Sequence, residues 1–315
     1  MSSRTYLVTG GAGFIGSHIA EALVRRGDRV RVLDNLSAGK RENLAGFAEH
    51  VAFVEGDVRD AALLSQLVQG VEGVFHQAAL ASVPLSVERP GDTHEVCATG
   101  TLRVLEAARR GGVRRVVYAA SSSVYGDQPY AALRETDVPS PLSPYAAAKL
   151  AGELYCLAFY RTYGLETVGL RYFNVFGPRQ DPDSPYSAVI PLFITALLQG
   201  RHPVIYGDGR QTRDFAFVGN IVQGNLLAMD APDAVGRIVN LANGRSTDLL
   251  TLLSVLQRLL QTKIEPRHEP PRTGDIRDSL ADISAARRLL GYEPVVGLEE
   301  GLRRSIDYYR SVLAS

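Results

Sequence analysis

Tyr145 and Lys149 stand four residues apart in Ser143-Pro144-Tyr145-Ala146-Ala147-Ala148-Lys149, and on a helix that spacing sets a phenol beside an ammonium on one face. Such a pair is a proton-transfer device. A free tyrosine loses its proton at about pH 10, and a neighbouring cation favours the phenolate, drawing the group toward neutrality. An idle surface pair can have the same spacing, so composition has to decide. The chain carries 34 Lys and Arg together, yet lysine occurs only at Lys40, Lys149 and Lys263. Nearly every position that needs only a positive charge is arginine, so Lys149 reads as chosen for a compact, tunable ammonium.

A second constellation lies near the start, in Thr9-Gly10-Gly11-Ala12-Gly13-Phe14-Ile15-Gly16, between an apolar run and a helical pattern through Ala20 and Leu23. Gly10 permits a tight turn, Gly13 lets the backbone approach a pyrophosphate, and Gly16 lets the helix pack close to a sheet. The helix N-terminus, with Phe14 and Ile15 in its first turn, receives the anion. Asp34 ends the second apolar run, where a carboxylate accepts hydrogen bonds from an adenosine ribose and repels a 2′-phosphate. NAD is therefore expected, with Asn35, Ser37 and Gly39 beside it; Lys40 and Arg41 keep NADP as the alternative. Asp57 and Val58 follow the third run, Gln77, Ala78 and Ala79 the fourth, and Tyr172 closes the sixth. All are expected to border the cofactor, because a doubly wound sheet binds its ligand at the strand C-termini.

The elements that must position these groups are legible. Six β-branched runs, at Tyr6–Thr9, Val30–Leu33, Val51–Val54, Gly73–His76, Val116–Ala119 and Thr167–Leu170, alternate with helical patterns. This predicts an α/β fold, a Rossmann-type doubly wound parallel sheet with a smaller C-terminal α/β substrate-binding lobe. Residues 1–174 are read as the NAD-binding domain, with part of 214–242 returning to it, and 175–315 mainly as the substrate lobe. Pro178, Pro182, Pro185 and Pro191 punctuate a loop-rich start to that lobe, and Glu265–Pro271 reads as irregular. Helices are expected at Leu249–Leu260, Ile283–Leu290 and Leu298–Leu313.

With 315 residues, 45% hydrophobic, the chain can bury a large core. Zero net charge recommends neither nucleic acid nor a membrane surface, so a small-molecule partner is expected. Met1-Ser2-Ser3-Arg4 runs straight into a strand pattern, which reads as cytoplasmic. Cys97 and Cys156 suit a reducing compartment and lack metal-ligand spacing; no metal is assigned.

After the fifth run comes Ala120-Ser121-Ser122-Ser123-Val124-Tyr125-Gly126, consecutive hydroxyls able to meet a sugar. With the glycine turn and the Tyr–Lys pair, the chain resembles the extended short-chain dehydrogenase/reductase superfamily, and within it the NAD-dependent nucleotide-sugar 4-epimerases. The resemblance covers essentially the whole chain and reaches Arg171–Pro182, Ala188-Val189-Ile190-Pro191, Gly207-Asp208-Gly209, Arg213-Asp214-Phe215 and Arg272-Thr273-Gly274-Asp275.

The resemblance implies that Tyr145 is the general base and acid at the sugar O4, and that Lys149 holds the nicotinamide ribose and lowers the tyrosine pKa. Ser121 matches the family's catalytic Ser or Thr, Ser122 joins it in the catalytic set, and Ser122 and Ser123 would contact the sugar. Asn174, Arg213 and Arg272 match diphosphate-binding positions, with Ala188, Val189, Tyr206 and Asp275 in the same substrate set and Ser82 near the sugar. Ser279 matches a pocket position where a bulky Tyr restricts related enzymes to glucose and galactose. A small residue there implies UDP-GlcNAc/UDP-GalNAc, with UDP-Glc/UDP-Gal as second substrates.

Similar dehydratases carry Asp-Glu where this chain has Ser122-Ser123. Similar glucuronate epimerases use Thr and Arg where it has Asn174 and Asp181, and an acid at 181 is read as unwelcoming to a glucuronate. That enzyme, or another NAD-linked nucleotide-sugar oxidoreductase, is the alternative; a non-catalytic dinucleotide sensor is a distant one. Cys97 departs from the family's usual Asn. A homodimer is expected, the helices Thr101–Arg110 and Tyr145–Tyr163 pairing into a four-helix interface through Leu105, Leu150, Leu154, Leu157 and Phe159.

Overall fold

The structure, a computed structural model, describes residues 3–182, 188–271 and 276–313. Its strands are Thr5–Thr9 (β1), Arg29–Asp34 (β2), Val51–Glu55 (β3), Gly73–His76 (β4), Arg115–Ser121 (β5), Glu166–Tyr172 (β6), Asn174–Phe176 (β7), Val204–Tyr206 (β8), Thr212–Phe217 (β9), Arg237–Leu241 (β10), Ser246–Asp248 (β11) and Arg267–Glu269 (β12). Seven of them form one parallel sheet in the order β10-β6-β5-β4-β1-β2-β3. The topology reverses between β1 and β4, and a crevice opens at that switch point, outside the strand C-termini.

The near-continuous apolar runs have a physical cause, since successive side chains point to opposite faces and both faces are covered. Tyr6 and Val8 pack toward the helices Phe14–Arg25 and Val218–Asp230 through Ile19, Leu23 and Ile221. Leu7, on the other face, packs with Leu64, Leu105 and Phe159 of the helices Ala61–Leu67, Gly100–Arg110 and Pro144–Tyr163. The sheet has seven strands where the sequence reads six: β10 pairs with β6 beyond the expected edge.

The remaining strands build the lobe over the crevice. β7, β9 and β11 form one small sheet and β8 pairs in parallel with β12. Helices Val189–Leu198, Leu249–Leu260 and Leu298–Leu313 enclose Phe176, Phe193, Leu252, Leu302 and Ile306. β12 falls where the sequence reads irregular chain: its Arg-His-Glu is mostly exposed and carries no strand pattern, and only its pairing with β8 makes it a strand. No helix among the described residues is long and apolar enough to cross a membrane.

Candidate active site

The glycine turn builds the floor of the larger cleft. Gly10 has φ +65°, and a Cβ there would come within 2.7 Å of the Ala78 nitrogen. A Cβ on Gly16 would overlap the Gly10 carbonyl oxygen. The helix Phe14–Arg25 starts at Gly13 with no side-chain cap, so its first amide donors are left for a ligand. Gly10, Gly13, Phe14, Ile15 and Gly16 all border a cavity of about 530 Å³.

Asp34 is set by its own loop: Oδ2 accepts from the Ala12 amide at 3.0 Å and Oδ1 from the Leu36 amide at 2.9 Å. Gly39 must lack a side chain, because its Cβ would lie 2.7 Å from Asp34 Oδ1. Asp34, Asn35, Ser37, Gly39, Asp57, Val58, Gln77, Ala78, Ala79 and Tyr172 line the same cavity as the glycines, as do Tyr145 and Lys149. Asn35 donates to Asp57 at 2.9 Å, and the bonds from Arg59 hold the Asp57 carboxyl down at about 2 despite partial burial. The two cations that keep the NADP alternative open are engaged elsewhere. Lys40 pairs with Asp181 at 3.2 Å and Arg41 with Glu55 at 2.8 Å.

The helix carrying the dyad begins where Ser143 Oγ accepts from the Ala146 amide and Pro144 occupies the first turn; Gly164, left-handed at φ 72°, ends it. Lys149 is 2% exposed and donates to the Ala119 carbonyl at 2.9 Å. Its ammonium lies 5.1 Å from the Tyr118 ring centre and 5.9 Å from that of Tyr145. Ser121 Oγ caps the short turn Ser122–Tyr125 by accepting from the Ser123 amide at 3.2 Å, and it also engages the Tyr145 hydroxyl.

The electrostatics differ from the sequence expectation. The Tyr145 phenol is pushed well above its ordinary value by burial, then by the Cys97 thiol, with only the Ser121 bond opposing. Burial also lowers Lys149. Desolvation disfavours the charged form of each, so the protein's own groups do not bring this phenol toward neutrality.

A second cavity, about 500 Å³, brings together Ser82, Asn174, Ala188, Val189, Tyr206 and Arg213, with Gln211 and Phe215. Ala81 and Ser82 border both cavities, so the two meet there. Ser121, Ser122, Ser123 and Ser279 are not among the side chains lining either cavity; Ser279 is 8% exposed. Arg272 and Asp275 lie outside the described residues. Asp181, read from sequence as unwelcoming to a glucuronate, pairs with Lys40 at 3.2 Å.

Two features escaped the sequence reading. Glu95–Thr99 is a π-helical turn that wedges buried Cys97 against Tyr145 and Ala148, a local widening common at functional sites. Glu153 and Arg171 form a bidentate ion pair at 2.9 and 2.8 Å, both under 5% exposed. The signal for the second was available: Glu153 is again four residues on from Lys149.

A profile described as the NAD dependent epimerase/dehydratase family matches residues 6–242. A UDP-glucose 4-epimerase of Mycolicibacterium smegmatis is 40% identical over 309 residues, covering 97% of this chain and 98% of that protein. Among solved structures, the UDP-N-acetylglucosamine 4-epimerase of Methanobrevibacter ruminantium M1, in complex with UDP-N-acetylmuramic acid, superposes with TM-score 0.95 at 41% identity, covering 99% of this chain and 100% of that one. The UDP-glucose 4-epimerase of Thermotoga maritima with UDP-glucose gives TM-score 0.94 at 39% identity, with 98% and 99% covered.

Proposed function

The chain belongs to the NAD dependent epimerase/dehydratase family, and we propose that it inverts C4 of a UDP-hexose through a transient 4-keto sugar, acting on UDP-GlcNAc/UDP-GalNAc and secondarily on UDP-Glc/UDP-Gal. One observation carries the reading: Tyr145 and Lys149, with Ser121 next to the Tyr145 hydroxyl, border a dinucleotide cleft that meets a second cleft holding Asn174 and Arg213. We assign residues 1–174, with part of 214–242, to the cofactor and 175–315 to the sugar nucleotide.

The cleft fits NAD. Glycine backbones leave room for a pyrophosphate beside an uncapped helix end, and Asp34 keeps lone pairs for ribose hydroxyls. When bound there, NAD would supply a reversible acceptor for the C4 hydrogen and a positive charge within the cleft. Tyr145 takes the O4 proton and later returns it. Lys149, anchored on Ala119, and Ser121 stabilise the charge that develops between the phenol and O4. Asn174 and Arg213 hold the diphosphate while the flat ketone turns over.

A second reading, UDP-glucuronate 4-epimerase, is not opposed by Asp181, which pairs with Lys40 and does not line the second cleft. Incubation with UDP-GlcNAc, UDP-Glc and UDP-glucuronate separately, with products identified by NMR, tests the assignment. An epimerase leaves absorbance at 340 nm unchanged at completion, whereas net oxidation raises it and overturns the reading.

A further inference from the structure

Tyr145, Lys149 and Glu153 recur at four-residue intervals on one helix, so they lie along one face, and the third is a carboxylate with no part in the proposed chemistry. Its burial is unusual. Glu153 is 2% exposed, in a helix otherwise rich in Ala and Leu, and both of its oxygens are taken by Arg171, reaching across from β6. A buried ion pair gives weak evidence for stability, since apolar residues of similar volume often serve as well. Something else must justify its place.

Lys149 is equally buried, and the only hydrogen bond its ammonium makes among those described is to the Ala119 carbonyl. Tyr118 and Tyr145 offer it ring faces, the Cys97 and Cys156 thiols lie near it, and neutral His76 approaches from β4. Glu153 is the one carboxylate that acts on it. Beyond, Arg171 stacks at 4.6 Å over the Tyr125 ring, with Glu135 the next acid. The pair is thus oriented, its negative end one helical turn from Lys149 and its positive end stacked against Tyr125 on the far side.

We propose that Glu153, clamped by Arg171, is a positioning residue that acts through Lys149, supplying the buried counter-charge that keeps its ammonium protonated and in place. This rests on the dyad reading above. The electrostatics run the same way: against the burial that lowers Lys149 stand the Cys97 and Cys156 thiols and then Glu153, and against the burial that raises Glu153 stand Arg171 and then Lys149.

The test is the pH profile of kcat for the NAD-loaded enzyme with its sugar nucleotide. Glu153→Gln removes the carboxylate and leaves the permanent cation of Arg171, so Lys149 should lose its proton at lower pH. The alkaline limb is expected to move down by about one unit, with KM little changed, and Glu153→Asp should retain the wild-type limb. Glu153→Gln/Arg171→Met should move it in the same direction by less, and decides the matter should the single variant not fold. A loss of kcat by the same factor at every pH, with the limb in place, would reduce the pair to a packing role and overturn the proposal. An inactive wild type, by contrast, would overturn the epimerase reading, so the two failures are distinguishable.

Discussion

Lys149 Nζ stands 5.9 Å from the centre of the Tyr145 ring, fixed there by its 2.9 Å bond to the Ala119 carbonyl at the mouth of β5. Burial disfavours both charged forms, so phenolate and ammonium have to support each other. Tyr145→Phe keeps the ring and deletes the acid–base hydroxyl; turnover should fall by a factor of at least about 100 while sugar-nucleotide binding persists. Lys149→Met should also cripple turnover and weaken NAD retention. Steady-state kinetics with calorimetric binding check both, and turnover within a few-fold of wild type in Tyr145→Phe would remove the tyrosine from the mechanism.

A buried histidine gives the protein an acid-side weakness. His76 Nδ1 lies 2.7 Å from Thr9 Oγ1 and Nε2 lies 3.0 Å from Thr101 Oγ1, and burial followed by the nearby Lys149 charge lowers its pKa to about 3. The folded value lies below the unfolded one, so the folded state binds fewer protons. Stability is present above the unfolded value and is lost as pH falls toward the folded one. Between pH 7 and 5 that loss should be about 2 kcal/mol. His76→Gln, whatever it costs at pH 7, should shrink the pH 7-to-5 difference by about that amount in urea unfolding. An unchanged difference would mean that His76 accepts its proton without unfolding.

The proposed dimer can use only part of the set read from sequence, Leu154 among it. Leu105 and Phe159 are buried in the chain's own core, whereas Leu154, Tyr155, Tyr160 and Tyr163 of the same helix are exposed, with Val83 and Val87 also bare. An apolar face of that kind on the helix Pro144–Tyr163 is what a two-fold four-helix contact would cover. Light scattering at micromolar concentration should give twice the chain mass, and Leu154→Arg should give a monomer. A monomeric wild type would end this proposal.

Much of this was readable because the pattern that builds an element is often also the pattern that reveals it. The helices Leu249–Leu260 and Leu298–Leu313 fall where their apolar spacing predicts, because one face of each covers Phe176, Phe215 and Phe217. Gly10 and Gly16 were legible because only residues without a Cβ fit there, while a Cβ on Gly13 would press within 3.1 Å of the Gly10 carbonyl oxygen. What escaped depends on pairing at a distance. Arg267-His268-Glu269 is a strand only through β8, and the π-helical turn at Glu95–Thr99 is a shift in backbone register that no side-chain pattern announces. The pairing of Asp181 with Lys40 escaped because the two are 141 residues apart in the chain.

The proposed substrate choice rests on Ser279. Its neighbours leave the backbone little freedom: the Arg277 carbonyl accepts from the Thr212 amide at 3.0 Å, the Leu280 carbonyl from the Leu133 amide at 2.8 Å, and the Ala281 amide reaches Asp214 at 3.3 Å. At 8% exposure the serine has no solvent side into which a larger group could retreat, so the phenol of Ser279→Tyr must push inward. If that direction is the sugar pocket, the phenol occupies the space an acetamido group needs as the keto sugar turns over. UDP-GlcNAc turnover should then collapse by at least about 10-fold relative to UDP-Glc, a sterically imposed difference in transition-state binding. Paired kcat/KM measurements on the two substrates, with thermal unfolding as a control, read this directly. Equal losses on both, accompanied by a lower Tm, would place Ser279 in the packing behind the pocket wall and remove the support it gives to the N-acetylhexosamine assignment.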